Sequence, residues 1–185
     1  MDNYIRVYKN VISDEKCQHL IEMFESDTEN HEIQDNGNGA TLTQINFLHS
    51  SDTIWRDEAS NLANTIVNYA HQYKKDYDIK DNQWPKKLII EPPKIKRYTP
   101  GGKDRFPEHV DVQDYKTAQR FLVAFIYLDN NEKGQTVISP KDDTFVSFCI
   151  RGSLLLFPPL WPWLHTGMPP IDKPKYIVGS YLHYL

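Results

Sequence analysis

The sequence predicts a mainly β protein with N-terminal helices, an α+β chain in which a helical layer packs on a β sandwich or barrel. Three observations carry this. The first eighty residues hold two amphipathic helical patterns with a polar loop between them. At Leu88 the character changes to β-branched and aromatic runs. From there to the C-terminus short strand-like segments follow one another at close spacing, separated by Pro/Gly turns, which is the pattern of a sandwich or barrel.

Taken in order, Ile5 and Val7 alternate with Arg6 and Tyr8 as a short first strand. Ser13 is placed to cap a helix, with Asp14 and Glu15 in its first turn, where negative charge is favourable. Cys17, Leu20, Ile21 and Phe24 then form one apolar helical face. Residues 27–40 are polar and contain Asn-Gly twice, so they read as a loop or hairpin turn. Thr41 to Leu48 alternates as a strand. A second helix is expected from Asp52 to about Lys75, with Trp55, Leu62, Ile66, Ala70 and Tyr73 on its apolar side.

In the second half, Leu88 to Ile90 is strand-like but stops at Pro92-Pro93. Lys94 to Tyr98 resumes as a strand, and Thr99 to Gly102 turns. Phe106 to Val112 is expected as the next strand. Arg120 to Leu128 is a near-continuous apolar run, the mark of a strand buried on both faces. Asp129 to Gly134 reads as a loop. Gln135 to Ser139, Phe145 to Cys149, Leu154 to Phe157, Trp163 to Thr166 and Tyr176 to Tyr184 complete the strands. No flexible linker separates residues 1–85, the helical support, from the β core at 86–185, so residues 1–185 are expected to form one domain.

Composition narrows the function classes. The formal net charge is −4, and no Lys/Arg-rich run stands out, so a nucleic-acid partner has no electrostatic support. No apolar run approaches the length of a membrane span, and the first residues do not read as a signal peptide. Only Cys17 and Cys149 are present. A disulfide framework is not expected, and a reducing, cytoplasmic setting fits. The sequence carries no indication of oligomeric state.

The chemistry centres on residues 97–111, RYTPGGKDRFPEHVD, which end in the triplet His109-Val110-Asp111. On an extended strand residues i and i+2 share a face. An imidazole and a carboxylate would then stand side by side, two-thirds of the facial triad that binds non-haem iron and leaves open positions. His165, after a strand and a Pro/Trp-rich corner, is the best third ligand. His19 and His71 fall on helices, His31 and His49 in the less regular N-terminal part, and His183 near the terminus. Lys175 is the second signal. A Lys ammonium is rarely buried without a partner, so a Lys175 pointing into the barrel would need an anion. At the strand mouth it would sit in solvent beside Lys173.

An ordered series of segments resembles the iron(II)- and 2-oxoglutarate-dependent dioxygenases, in particular their prolyl 4-hydroxylase-like branch. The series begins with VISDEKC at 11–17 and continues with RYTPG at 97–101 and HVD at 109–111. Arg120, YLD at 127–129, GQT at 134–136, RGSLLLFP at 151–158, HTGMP at 165–169 and Lys175-Tyr176 complete it. The resemblance implies a double-stranded β-helix with Fe(II) held by His109, Asp111 and His165 at its open end. It implies Lys175 as the partner of the far carboxylate of 2-oxoglutarate. Tyr98 and Tyr127 match aromatic residues whose hydroxyls often hydrogen-bond the cosubstrate or line its pocket, so both are expected as cosubstrate-binding residues. The implied reaction consumes O2, releases succinate and CO2, and hydroxylates an unactivated C–H bond. The family's chemistry also admits ascorbate as a reductant.

Two departures stand out. The loop after Tyr127 has a single Gly, followed by Thr136-Val137 without an aromatic residue, and PPLWPW precedes His165. Neither involves an expected ligand, but both bear on the substrate mouth. Trp161 and Trp163 are expected to pack rather than line it. Residues 27–40 and 111–119 are expected lids. A peptide or protein side chain, prolyl or other, is the first substrate class and a small molecule the second. Two other readings use the same residues: a cupin-like metalloenzyme that does not use 2-oxoglutarate, and a non-enzymatic binding module.

Overall fold

A computed structural model of the chain describes residues 3–48, 53–140 and 143–185. Strand β1 (Arg6–Tyr8) leads into helix α1 (Asp14–Ser26), whose first turn is capped by the Ser13 hydroxyl accepting from the Lys16 amide. A 3-10 turn (Thr28–Asn30) and a hairpin of β2 (Glu32–Asp35) and β3 (Thr41–Asn46) follow. Helix α2 (Thr53–Asp76) then runs to β4 (Leu88–Ile90), β5 (Lys94–Tyr98) and β6 (Phe106–His109). The remaining strands are β7 (Arg120–Tyr127), β8 (Asn131–Pro140), β9 (Phe145–Cys149), β10 (Leu154–Phe157), β11 (Trp163–Gly167) and β12 (Lys175–Tyr184).

The strands form two antiparallel sheets. The larger has the order β1-β10-β7-β12-β5-β3-β2, with β4 also on β12, and the smaller has the order β6-β11-β8-β9. Period-two alternation on the larger sheet creates two cores. On β7, Leu122, Ala124 and Ile126 face the helices, where Leu20, Phe24, Trp55, Leu62 and Ile66 meet them. Val123, Phe125 and Tyr127 face the smaller sheet and pack with Tyr98, Ile138, Leu155, Phe157 and Ile177. The near-continuous apolar run of β7 is thus the signature of a strand buried from both sides. The fold is the expected α+β plan, a β-helix core of two facing sheets with helices on one outer face.

Three expectations change in detail, and a fourth falls outside the described residues. Residues 27–40 include β2, an edge strand mostly exposed and therefore without an apolar pattern to betray it. β6 ends at His109, so Asp111 lies just past the strand rather than on it. β8 begins at Asn131, inside the expected loop, because an irregularity between Asn131 and Thr136 lets Cys149 pair with Asn131. Finally, the expected start of the second helix at Asp52, like His49, lies outside the described residues. Cys17 and Cys149 are free and buried.

The turn between β9 and β10 needs Gly152. Its φ is +69°, and a Cβ there would lie 2.6 Å from the Ile12 carbonyl oxygen, while its own carbonyl accepts from the Val11 amide. Gly152→Ala should cost about 2 kcal/mol or more from left-handed backbone strain and the clash, a fall in Tm of roughly 4–8 °C. A thermal melt checks it, and an unchanged Tm would mean that the helix entry does not rest on this turn.

Candidate metal centre

β6 and β11 are neighbours in the smaller sheet, and His109 is the direct register partner of His165. This pairing, more than the H-x-D spacing, brings the two imidazoles together, with ring centroids 4.2 Å apart. Asp111 follows two residues after His109 and is anchored by its amide donating to the Pro159 carbonyl. The ligand atoms of His109, Asp111 and His165 all lie within 4.8 Å of one another. The side chains of Asp111 and His165 are 4% and 2% exposed, that of His109 18%.

Each group is held from behind. Nδ1 of His109 lies 2.7 Å from the Pro107 carbonyl, and Nδ1 of His165 lies 2.9 Å from the Trp163 carbonyl. A carbonyl accepts only, so both Nδ1 atoms carry a proton and turn Nε2 toward Asp111. Phe106 stacks on His109, and Phe157 meets His165 edge-on. Tyr181 donates its hydroxyl to Asp111 Oδ1 at 2.7 Å. Arg120 lies over the Tyr181 ring at 3.8 Å, donates to the Asp111 carbonyl, and is fixed by Glu91, which also binds His183. Burial opposes ionisation of Asp111, but hydrogen bonds and positive charge from the two imidazoles, in the form that also carries a proton on Nε2, outweigh it and hold its carboxyl well below the usual carboxylate range; a metal ion would take the place of those protons.

Two buried atoms are left over. Asp111 Oδ2 and His165 Nε2 have no hydrogen-bond partner among the described residues and face each other at 3.2 Å. Buried polar atoms are normally satisfied. A carboxylate oxygen against an imidazole lone pair is satisfied by a cation bound to both. Two imidazoles and one carboxylate, with neutral ring nitrogens presented and outer partners in place, fit a divalent first-row metal that keeps open positions.

A narrow inner cavity runs from this cluster into the space between the sheets. His109, His165, Phe106, Tyr98, Thr136 and Lys175 are among its lining residues. Lys175 starts β12, is 2% exposed, and has no ion-pair or hydrogen-bond partner among the described residues. Its Nζ lies 5.1 Å from the Tyr98 ring centroid and 5.9 Å from that of Tyr127. Burial pulls its pKa down. Tyr98 lines the cavity. Tyr127 sits behind it, with its hydroxyl hydrogen-bonded to those of Thr136 and Ser147. Gly134 makes room: a Cβ there would be 3.0 Å from Lys175 Cδ.

Outside the cluster lies an open cleft of about 440 Å³, within the usual range of ligand sites. Both expected lids reach it, residues 27–40 through Gln34, Asp35 and Asn36, and residues 111–119 through Gln113, Asp114 and Thr117. Trp163 is half-buried and donates to the Asn3 carbonyl. Trp161, expected to pack, is instead 77% exposed, because its Pro-flanked corner extends beyond the sheet. Tyr181 and Lys96 were not singled out from the sequence. Tyr181 carried a signal, since it stands six residues after Lys175 on the same face of an alternating strand.

No family model and no curated protein matches the chain. Solved structures do. A viral collagen prolyl hydroxylase from Paramecium bursaria Chlorella virus-1, in complex with 2-oxoglutarate, superposes with a TM-score of 0.69 at 18% identity, over 98% of this chain and 96% of that one. A prolyl hydroxylase from Trichoplax adhaerens, in complex with a hypoxia-inducible factor peptide fragment, gives 0.71 at 12% identity, over 98% and 84%. An α-ketoglutarate-dependent epimerase from nogalamycin biosynthesis, SnoN, gives 0.73 at 13% identity, over 98% and 78%.

The Tyr181–Asp111 hydrogen bond predicts that Tyr181→Phe weakens Mn(II) binding about 10-fold or more, the usual loss for an outer-shell partner. Calorimetry reads this directly, and an unchanged affinity would show that Asp111 needs no such support. From its sheets to its helical layer, the chain has the double-stranded β-helix fold of the prolyl hydroxylases and the epimerase it superposes on.

Proposed function

We propose that the chain is an Fe(II)- and 2-oxoglutarate-dependent oxygenase that hydroxylates an unactivated C–H bond, with residues 1–185 acting as one catalytic domain. The observation that carries this reading is the buried Lys175 ammonium, which faces the same inner cavity as His109 and His165 and has no carboxylate partner among the described residues. 2-Oxoglutarate has one carboxylate for each end of such a cavity and a keto oxygen beside the first. In the reaction, 2-oxoglutarate, O2 and R–H become succinate, CO2 and R–OH.

His109, Asp111 and His165 would hold the iron, which when bound supplies the oxidising chemistry. This chain's residues do the rest. Lys175 binds and orients the far carboxylate of the cosubstrate, and Tyr98 walls its path. Tyr127 supports Lys175 from behind and keeps Thr136 in place. Phe106, Phe125 and Ile177 line the inner cavity and exclude water, which strengthens the Lys175 ion pair. Tyr181, donating to Asp111 Oδ1, and Arg120, holding the Asp111 carbonyl, would keep the carboxylate aimed at the metal. Ascorbate fits as a reductant that keeps the iron divalent.

The substrate enters by the open cleft, between the segments at 34–36 and 113–117. The Trichoplax structure, captured with a peptide, supports a peptide or protein substrate for the same fold. The epimerase supports a small molecule. No described helix is long and apolar enough to cross a membrane. A metalloenzyme that does not use 2-oxoglutarate would leave Lys175 without an anion, and a binding module would leave Asp111 Oδ2 and His165 Nε2 without a cation.

Anaerobic addition of Fe(II) and 2-oxoglutarate should give a visible charge-transfer band that His109→Ala abolishes. Lys175→Met should keep metal binding but weaken 2-oxoglutarate about 30-fold or more, the cost of removing one partner of a buried ion pair. If the wild type shows no band and no 2-oxoglutarate binding by calorimetry, the reading fails.

A further inference from the structure

A second buried cation faces the site. Lys96 is on β5, two residues before Tyr98, so alternation turns it inward with Tyr98 and away from Ile95, which packs under the helices. It is 8% exposed. Its stem lies against Gly179, where a Cβ would be 3.8 Å from Lys96 Cε, and its Nζ lies 5.6 Å from the centroid of the Phe106 ring. It has no ion-pair or hydrogen-bond partner among the described residues. The nearby acids are committed elsewhere: Asp111 to the two imidazoles and Tyr181, Glu91 to Arg120 and His183. Burial, with the Lys94 charge adding to it, pushes the Lys96 pKa down to about 8, which leaves the group mostly charged at neutral pH.

Lys96 lines both the inner cavity and the open cleft, whereas Lys175 lines only the inner cavity. On the proposed function, the two carboxylates of 2-oxoglutarate are matched by Lys175 and by the metal. The ammonium at the boundary with the cleft is then left for a third carboxylate. A buried, unpaired charge is costly and persists where a ligand completes it.

Resting on that reading, we propose that Lys96 binds a carboxylate of the primary substrate, so that the oxidised carbon belongs to an acid, either a free amino or organic acid or an acidic residue of a peptide. The Lys96 ammonium orients the acid from the inner wall of the cleft, which the segments at 34–36 and 113–117 flank.

The test uses the whole chain loaded with Mn(II) and saturating 2-oxoglutarate. Calorimetry compares free proline and glutamate with their amides. It also compares blocked tripeptides carrying a central Asp or Glu with those carrying Asn or Gln. At least one acid should bind about 30-fold or more tightly than its amide. Lys96→Met should erase that preference and Lys96→Arg restore part of it. The pair that responds tells free acid from peptide. Removing an unpaired buried charge should also raise the Tm of the metal-free protein by about 2–4 °C or more, which a merely structural lysine would not do. The 2-oxoglutarate band of Lys96→Met should keep its midpoint.

Three results would overturn the proposal: no acid binds better than its amide, Lys96→Met keeps the preference, or Lys96→Met weakens 2-oxoglutarate as Lys175→Met does. A normal band without acid preference counts against this proposal alone, and a missing wild-type band counts against the reading beneath it.

Discussion

The constraint on which the rest of the structure depends is the burial of the Lys175 ammonium between two sheets, with aromatic rings around it and no carboxylate partner among the described residues. Taking a charge out of water costs several kcal/mol unless a partner replaces the lost hydration. The protein does not evade this by letting the chain reach solvent. It builds for it: Gly134 has no side chain where one would collide with Lys175, and the Tyr127 hydroxyl is tied to Thr136 and Ser147, which keeps the ring under the ammonium. On the proposed function, that arrangement serves the far carboxylate of 2-oxoglutarate.

At the other end the imbalance has the opposite sign. Asp111 and His165 present unpartnered acceptor atoms to each other, and the hydrogen bonds behind them fix that orientation. The donor set at one end of the cavity suits a cation, and the ammonium at the other suits an anion. On the proposed function, iron at the first end and 2-oxoglutarate reaching the second would answer both. The two sheets make this geometry possible, because β11 brings His165 opposite His109 from the smaller sheet while β12 brings Lys175 from the larger one.

Much of this was legible in the sequence, though not always for the reason first available. His109 and Asp111 were found by a strand-alternation argument, yet Asp111 stands beyond the end of β6, and its place comes from the Pro159 carbonyl and from Tyr181. His165 and Lys175 were legible through the order of segments around them. Tyr181 could have been read from Lys175 by period two alone. Lys96 could not. In Lys-Ile-Lys-Arg-Tyr both strand faces carry a charge at the centre, so alternation gives two faces without saying which is buried. Only the packing of Ile95 under the helices decides it. The edge strand β2 and the exposed Trp161 escaped for a related reason: where one face meets solvent on both sides or a turn projects outward, hydrophobicity no longer reports position.

A crystal structure of the protein grown with Mn(II) and 2-oxoglutarate tests the central claim most directly. The account predicts the metal on His109 Nε2, His165 Nε2 and an Asp111 oxygen, with the far carboxylate of 2-oxoglutarate hydrogen-bonded to Lys175 Nζ. A metal bound without His165, or a 2-oxoglutarate seated in the outer cleft with Lys175 still unpaired, would contradict it.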